Sequence, residues 1–322
     1  MNRPLLLAAD IGGTTARAVA APAATESARL PDPSTGPGCN IRSAGTGGLA
    51  QIVPTLLAAL GGASGDDVER AVLSLSGAGP ARRAEIEDAI ADLLAPAGID
   101  RSRITVVDDL HAAFAAGGAG PDGILVLAGT GAVAARFAEG RLIARTDGMG
   151  WVLGDVGSAV WLGHQVLRAV AADIDERGRR TLLTERLGDV LELELRDGID
   201  CPTGDPRQDL IRAIDPLAPA DWGRFAQLPG ECLPDPVARD ILDRAARALA
   251  DSVRRMDPDA VLPVVLAGSV LTSDGPLRDE LRSGIELAGH PVVVEASQPI
   301  VGAWRIAQAA AAQDLADPRA QV

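Results

Sequence analysis

The sequence predicts an α/β protein of two related halves, and three observations predict it. The first is a repeated device. The apolar run Leu5–Ala9 ends in Asp10-Ile-Gly-Gly-Thr-Thr15 and passes into a second apolar run through Arg17. Downstream, Ile124–Ala128 ends in Gly129-Thr-Gly131 and passes into a second run through Arg136 and Phe137. The second observation is that strand-like and helix-like segments alternate after each copy, the pattern of a layered α/β architecture. The third is length: 322 residues exceed what a single core usually supports, about 250–300. The predicted division is 1–117 and 118–297, with a final helix from about 298 to 322 packing back on the first half.

In order, residues 3–21 read as two strands joined by the Asp10–Thr15 turn. Residues 21–46 are rich in Pro, Gly and Ser and read as loop with one short strand. Residues 49–60 space their apolar side chains helically. Ala71–Leu75 is a buried strand ending in Ser76-Gly-Ala-Gly79. Residues 82–94 form a helix with Ile86, Ile90, Leu93 and Leu94 on one face. Ile104–Val107 is a strand running into Asp108-Asp109, and residues 112–116 are helical. After the second device, Glu139-Gly140 reads as a hairpin turn between 133–137 and 142–145. A Gly-rich loop follows at 147–158, then a helix at 159–172. Pro- and Asp-rich stretches over 197–236 connect further helices. Residues 237–256 form a long amphipathic helix. Strands are expected at 264–267 and 292–294, and a terminal helix at 301–315.

Composition narrows the class. Apolar content of 47% and charged content of 23% suit a soluble globular protein. The net charge of −14 argues against nucleic acid, whose phosphates demand clustered Lys and Arg, and against an anionic membrane surface. It does not exclude a nucleotide, because a local cradle can oppose the global sign. Cys39, Cys201 and Cys232 are far apart, so neither a zinc site nor a disulfide framework is expected. Leu5–Ala9 is too short for a signal segment and no run reaches the ~18 apolar residues of a membrane span, so a cytoplasmic protein is expected.

Chemistry concentrates in the turns. Gly permits tight reversal and close approach to a ligand, and successive backbone N–H groups in such turns bind anions. Two such turns on one chain are expected to grip one polyphosphate, which points to a nucleotide-dependent phosphotransferase. The P-loop pattern is absent. Gly129-Thr-Gly131-Ala-Val-Ala134 matches a dinucleotide fingerprint formally, but that fingerprint must open a helix, and here a strand follows. A dinucleotide oxidoreductase is therefore the distant reading. Asp108-Asp109 ends an apolar strand. One Asp suits a helix N-cap. The other suits the base that accepts a proton from an attacking hydroxyl. Asp155 and Asn40 read either as turn residues or as polar contacts to a sugar. His111, His164 and His290 lack metal-binding spacing. The four Trp residues read as packing, with Trp151 also able to flank a sugar.

These residues resemble the N-acetylglucosamine kinase branch of the BadF/BadG/BcrA/BcrD ATPase family, within the actin/hexokinase/Hsp70-like fold. The resemblance runs through Asp10–Thr15, Asn40, Leu73-Ser-Leu-Ser-Gly-Ala78, Asp109, Ala128–Gly131, Gly154-Asp-Val-Gly-Ser158 and Leu266-Ala-Gly-Ser-Val270, in the family's order. It implies an actin-like fold of two α/β domains around a cleft that closes on the sugar. It implies Mg²⁺ and ATP as cofactors, with Gly12, Gly13, Thr14, Thr15, Gly129, Thr130 and Gly131 at the phosphates, and Gly268 and Ser269 at the adenosine. Asp10 would hold Mg²⁺ through water. Asn40, Asp109, Gly148, Met149, Gly150 and Asp155 would meet the sugar, with Asp109 as base. A homodimer is expected because relatives are often dimers.

Three departures touch the site. Val156 stands where the family has Glu, Ala132 where Ser commonly follows the second Gly-Thr-Gly, and Gly148-Met-Gly150 where Gly-Trp-Gly is usual, with Trp151 just after it. The repressor-type zinc motif and cluster-ligating cysteines of other branches have no counterpart. The expected reaction is phosphorylation of the 6-hydroxyl of an amino sugar, N-acetylglucosamine first, with glucosamine or N-acetylmuramate as alternatives. An ATPase switch without sugar transfer is the alternative of another class.

Overall fold

The computed structural model describes residues 4–39, 41, 45–79, 81–196 and 201–316. It divides into two compact units, residues 1–121 with 296–322, and residues 122–295.

Unit 1 is built on a five-stranded sheet of order β3-β2-β1-β4-β5. Its strands are β1 (Leu5–Ile11), β2 (Thr15–Pro22), β3 (Ser34–Pro37), β4 (Val68–Leu75) and β5 (Ile104–Asp108). β1 and β2 form an antiparallel hairpin, whereas β4 and β5 run parallel to β1. Parallel strands covered on both faces read as continuous apolar runs. β1 does so, with Leu6 to Ala9 all fully buried. One face packs on Ile52, Leu56, Ile86, Ile90 and Leu94. The other packs on the terminal helix Pro299–Ala316 through Ile300, Ala303, Trp304 and Ala307. Trp304 is fully buried and its indole N–H donates to the Thr25 carbonyl at 3.2 Å. Gly302 lies so close to the Ala112 carbonyl that a Cβ would overlap it. Arg305 donates to the Ala115 and Ala116 carbonyls, both at 2.9 Å. The last helix thereby holds the helix Asp109–Gly117 against the sheet.

Unit 2 repeats the scheme. Its sheet order is β10-β9-β6-β7-β8, from β6 (Gly123–Ala128), β7 (Ala132–Ala138), β8 (Arg141–Asp147), β9 (Val264–Ala267) and β10 (Val293–Glu295). β6 and β7 are antiparallel, β7 and β8 are antiparallel, and β9 runs parallel to β6, so the two sheets share one topology. Glu139 and Gly140 both have positive φ, 51° and 70°, at the β7–β8 reversal, the geometry that matches the twist of a hairpin. Helices Pro236–Met256 and Pro276–Leu287 cover the sheet through Leu249, Val253, Leu281 and Ile285. Ala159–Ile174 joins a second apolar cluster around Phe225. The α/β class and the element order match the sequence reading. The helices Leu183–Leu191, Pro206–Ile214 and Pro276–Leu287 add what composition hid.

Candidate active site

In unit 1 the first turn is braced from behind. The Gly12 N–H donates to the Thr15 carbonyl at 2.9 Å, the Gly38 N–H to Thr14 at 3.0 Å and the Cys39 N–H to Gly12 at 2.9 Å. Gly38 sits against the turn backbone with no room for a Cβ. The exposed Gly13 and Thr14 are left facing outward. Asp10 ends this arrangement inside β1, half-buried and paired across the hairpin with Arg17. Burial pushes its carboxyl up to about 6, the Arg17 charge opposes that, and the neighbouring Asp109 charge adds to it. Asp109 is therefore near enough to be felt by Asp10.

Asp108 and Asp109 divide their duties. Asp108 is the N-cap of the helix Asp109–Gly117: its Oδ1 accepts from the His111 N–H at 3.1 Å and meets the His111 ring Nδ1. Burial raises the Asp108 pKa, but the His111 bonds and charge and the Arg83 charge outweigh it and hold the carboxyl below its usual range. Asp109, the first helical residue, has its Oδ2 bound by the Ser76 hydroxyl at 3.1 Å. It keeps solvent access. Even so, desolvation by surrounding protein, reinforced by the Asp108 charge and opposed by Ser76, raises its pKa. A carboxylate whose pKa is raised accepts protons better, which suits a base.

In unit 2 the second turn and the Gly-rich loop form one cluster. The Gly129 N–H donates to the Gly131 carbonyl at 2.9 Å, and the Gly129 carbonyl accepts from the Ala159 N–H at 2.8 Å. Thr130 is exposed at the tip. Asp155 is buried, has φ of 55° and accepts from the Gly150 N–H at 3.1 Å. A Cβ on Gly131 would meet Asp155 Oδ2 at 2.8 Å. Burial raises the Asp155 pKa, opposed by the Gly150 amide and reinforced by the Asp147 charge. The Gly148 N–H donates to the Ala132 carbonyl at 3.0 Å. Gly268, with φ of 85°, packs on the Ala128 carbonyl with no space for a Cβ, which joins the β9 end to the same turn. Next to it, Ser269 and Val270 line an open cavity of about 460 Å³ shared with Gly230, Glu231, Asp274 and Arg278. That volume is within the range of small-ligand pockets.

The sequence-predicted residues thus fall into a unit 1 group around Asp10 and Asp109 and a unit 2 group around Gly129–Gly131, Gly148–Gly150, Asp155 and Gly268–Ser269. Asn40 lies outside the described residues. Three residues were not singled out by sequence. Ser76 binds Asp109; its signal was a Ser directly after a buried strand. Arg17 faces Asp10; the hairpin register would have revealed it. Asp147 organises the Gly-rich loop, accepting from the Asp155 N–H at 2.7 Å and the Val156 N–H at 3.1 Å. The Val156 amide is thus used although its side chain carries no acceptor. Met149 and Trp151 are exposed.

The donor set fits a hydrated Mg²⁺. Asp10 offers a carboxylate, Thr14 and Thr15 are adjacent hydroxyls, and hard cations of this kind bind through one or two carboxylates while keeping waters. Among the described residues no helix is long and apolar enough to cross a membrane.

The fold is that of a two-unit α/β protein in which each unit carries a Gly-containing strand–turn–strand device. The chain matches the BadF/BadG/BcrA/BcrD ATPase family over residues 9–307 and belongs to it. An N-acetylmuramic acid/N-acetylglucosamine kinase of Clostridium acetobutylicum is 28% identical over 263 residues, 77% of this chain and 80% of that one. An N-acetyl-D-glucosamine kinase of Dictyostelium discoideum is 31% identical over 175 residues, so the match spans only about half of each, 51%. A structure from Porphyromonas gingivalis described as a candidate N-acetylglucosamine kinase aligns with TM-score 0.69 at 19% identity, over 94% of this chain and 99% of that one. A ROK family glucokinase from Streptomyces griseus, solved with glucose and AMPPNP, aligns with TM-score 0.56 at 18% identity, over 95% and 99%. These two structures share the fold.

Proposed function

We propose that this protein is an ATP- and Mg²⁺-dependent kinase that phosphorylates the 6-hydroxyl of an amino sugar, with N-acetylglucosamine or N-acetylmuramate as the leading acceptors. The observation that carries the reading is the carboxylate pair at the ends of β1 and β5. Asp10 feels the charge of the raised, Ser76-bound Asp109, in a chain whose curated relatives are named as kinases of these sugars.

Asp109 accepts the hydroxyl proton as the sugar oxygen bonds to the γ-phosphorus and the bond from that phosphorus to the bridging β-phosphate oxygen breaks, releasing ADP; the Ser76 O–H keeps Oδ2 of Asp109 oriented. The amides and hydroxyls of Gly12–Thr15 and Gly129–Gly131 bind phosphate oxygens. Asp10 orients the hydrated cation, which when bound offsets charge on the transferring phosphoryl group. The cavity beside Ser269 takes the nucleoside. Asn40, Gly148, Met149, Gly150 and Asp155 contact the sugar.

The test is ADP release with Mg-ATP against N-acetylglucosamine, N-acetylmuramic acid, glucosamine, glucose and no sugar. Strong stimulation by an N-acetylated amino sugar is expected. Hydrolysis that no sugar stimulates would instead establish the ATPase-switch reading.

A further inference from the structure

Asp10 has a neighbour on each side at the same register. Across the hairpin it pairs with Arg17, and across the parallel β1–β4 ladder it pairs with Ser74. Directly paired residues point to the same face of a sheet. Arg17, Asp10 and Ser74 therefore form one row across three strands. Ser74 is fully buried, and its Oγ has no hydrogen-bond partner. A buried polar atom left unpaired is destabilising and calls for an explanation.

Packing does not supply one. The equivalent row of unit 2 is Val133, Leu127 and Ala267, in the same pairing pattern. The fold thus accepts plain hydrocarbon there, with Ala in the place of Ser74. The row is polar where Asp10 stands and apolar where no carboxylate does. A buried hydroxyl beside Asp10 with no hydrogen-bond partner is suited to a bonding pattern completed on ligation.

We propose that Ser74 is a positioning residue for the cation at Asp10: its hydroxyl orients the Asp10 carboxylate once Mg²⁺ and its water shell are bound. This rests on the kinase reading above. Hydrogen bonds behind a metal-ligating carboxylate typically change metal affinity about 10–100-fold when removed.

The test is calorimetric titration of ADP, over a range of Mg²⁺ concentrations and without metal, for the wild type and Ser74→Ala, together with the melting temperature of each ligand-free protein. Ala removes one buried atom, so the variant folds. The expected result is a melting temperature equal to or above the wild type's, unchanged metal-free ADP affinity, and a need for about tenfold more Mg²⁺ to reach half of the metal-dependent enhancement. A purely structural hydroxyl would change stability and leave the Mg²⁺ dependence alone. Equal Mg²⁺ dependence in the two proteins overturns the role of Ser74 while leaving the kinase reading standing. An equal loss of ADP affinity with and without metal overturns it too. A wild type whose ADP binding ignores Mg²⁺ overturns both.

Discussion

The two units place the same hairpin, the same parallel neighbour and the same sheet order around different chemistry. At the last-but-one pair of the first hairpin, unit 1 has Asp10 opposite Arg17, and unit 2 has Leu127 opposite Val133. Both turns close on an internal amide-to-carbonyl bond, from Gly12 to Thr15 and from Gly129 to Gly131. The repeat therefore shares the kind of closing bond, over a turn of four residues in unit 1 and three in unit 2, and in this strand row only unit 1 carries a carboxylate. Unit 2 uses its Gly-rich loop instead, placing Asp155 against Gly131 by folding over the Asp147 carboxylate. On the proposed kinase reading, such a scaffold separates phosphate binding, which backbone amides can serve, from proton transfer and cation binding, which need ionised side chains.

The largest effect should come from the proposed base of unit 1. Asp109→Asn is expected to lower kcat by at least about 10³-fold, within the span of general-base contributions, with sugar KM changed little in steady-state assays. Because burial raises Asp109, the acidic limb of kcat/KM should have its midpoint above the ordinary carboxylate value of 3.8, and Asp108→Asn should not abolish that limb.

Asp10→Asn sharpens the contrast by separating activity from stability. Loss of turnover by about 10²-fold or more is expected, since the cation loses its carboxylate. Stability should move the other way. The folded pKa of about 6 lies above 3.8, so the folded state binds this proton more tightly. The group then favours folding in acid, and that contribution is lost as pH rises through 6. The variant should be more stable than wild type by about 1–2 kcal/mol above pH 6, from the shift of roughly two units at 1.36 kcal/mol each, discounted for partial exposure. The difference should vanish near pH 4. Melting curves across that range check it.

On the unit 2 side, Gly131→Ala puts a methyl 2.8 Å from Asp155 Oδ2. Displacing a positioned contact of this kind is expected to raise sugar KM by about tenfold with a smaller change in kcat, read from saturation curves in sugar and in ATP. The smallest effect belongs to Asp108→Ala, which removes an N-cap and should cost about 1 kcal/mol of stability, measured by denaturant unfolding.

Much of this comparison was readable from sequence. Both devices, the strand after each turn, the Asp108-Asp109 pair and the Glu139-Gly140 hairpin have local signatures of apolar runs broken by Gly or Asp. What was not readable depends on partners far along the chain. Ser76 reaches Asp109 across 33 positions, Ser74 meets Asp10 only through parallel pairing of β1 with β4, and Asp147 gains its role only when the loop to Val156 closes on it. Helix Pro276–Leu287 escaped notice because charged residues interrupt its apolar face, leaving Leu277, Leu281 and Ile285 buried.

The most direct test of the central claim is paired: sugar-dependent ADP release by Asp109→Asn and by Asp108→Asn, alongside sugar binding by each. The account predicts that Asp109→Asn binds sugar and turns over at under about 0.1% of wild type, while Asp108→Asn retains most activity. Reversed severity, or more than a few per cent of activity in Asp109→Asn, would contradict it.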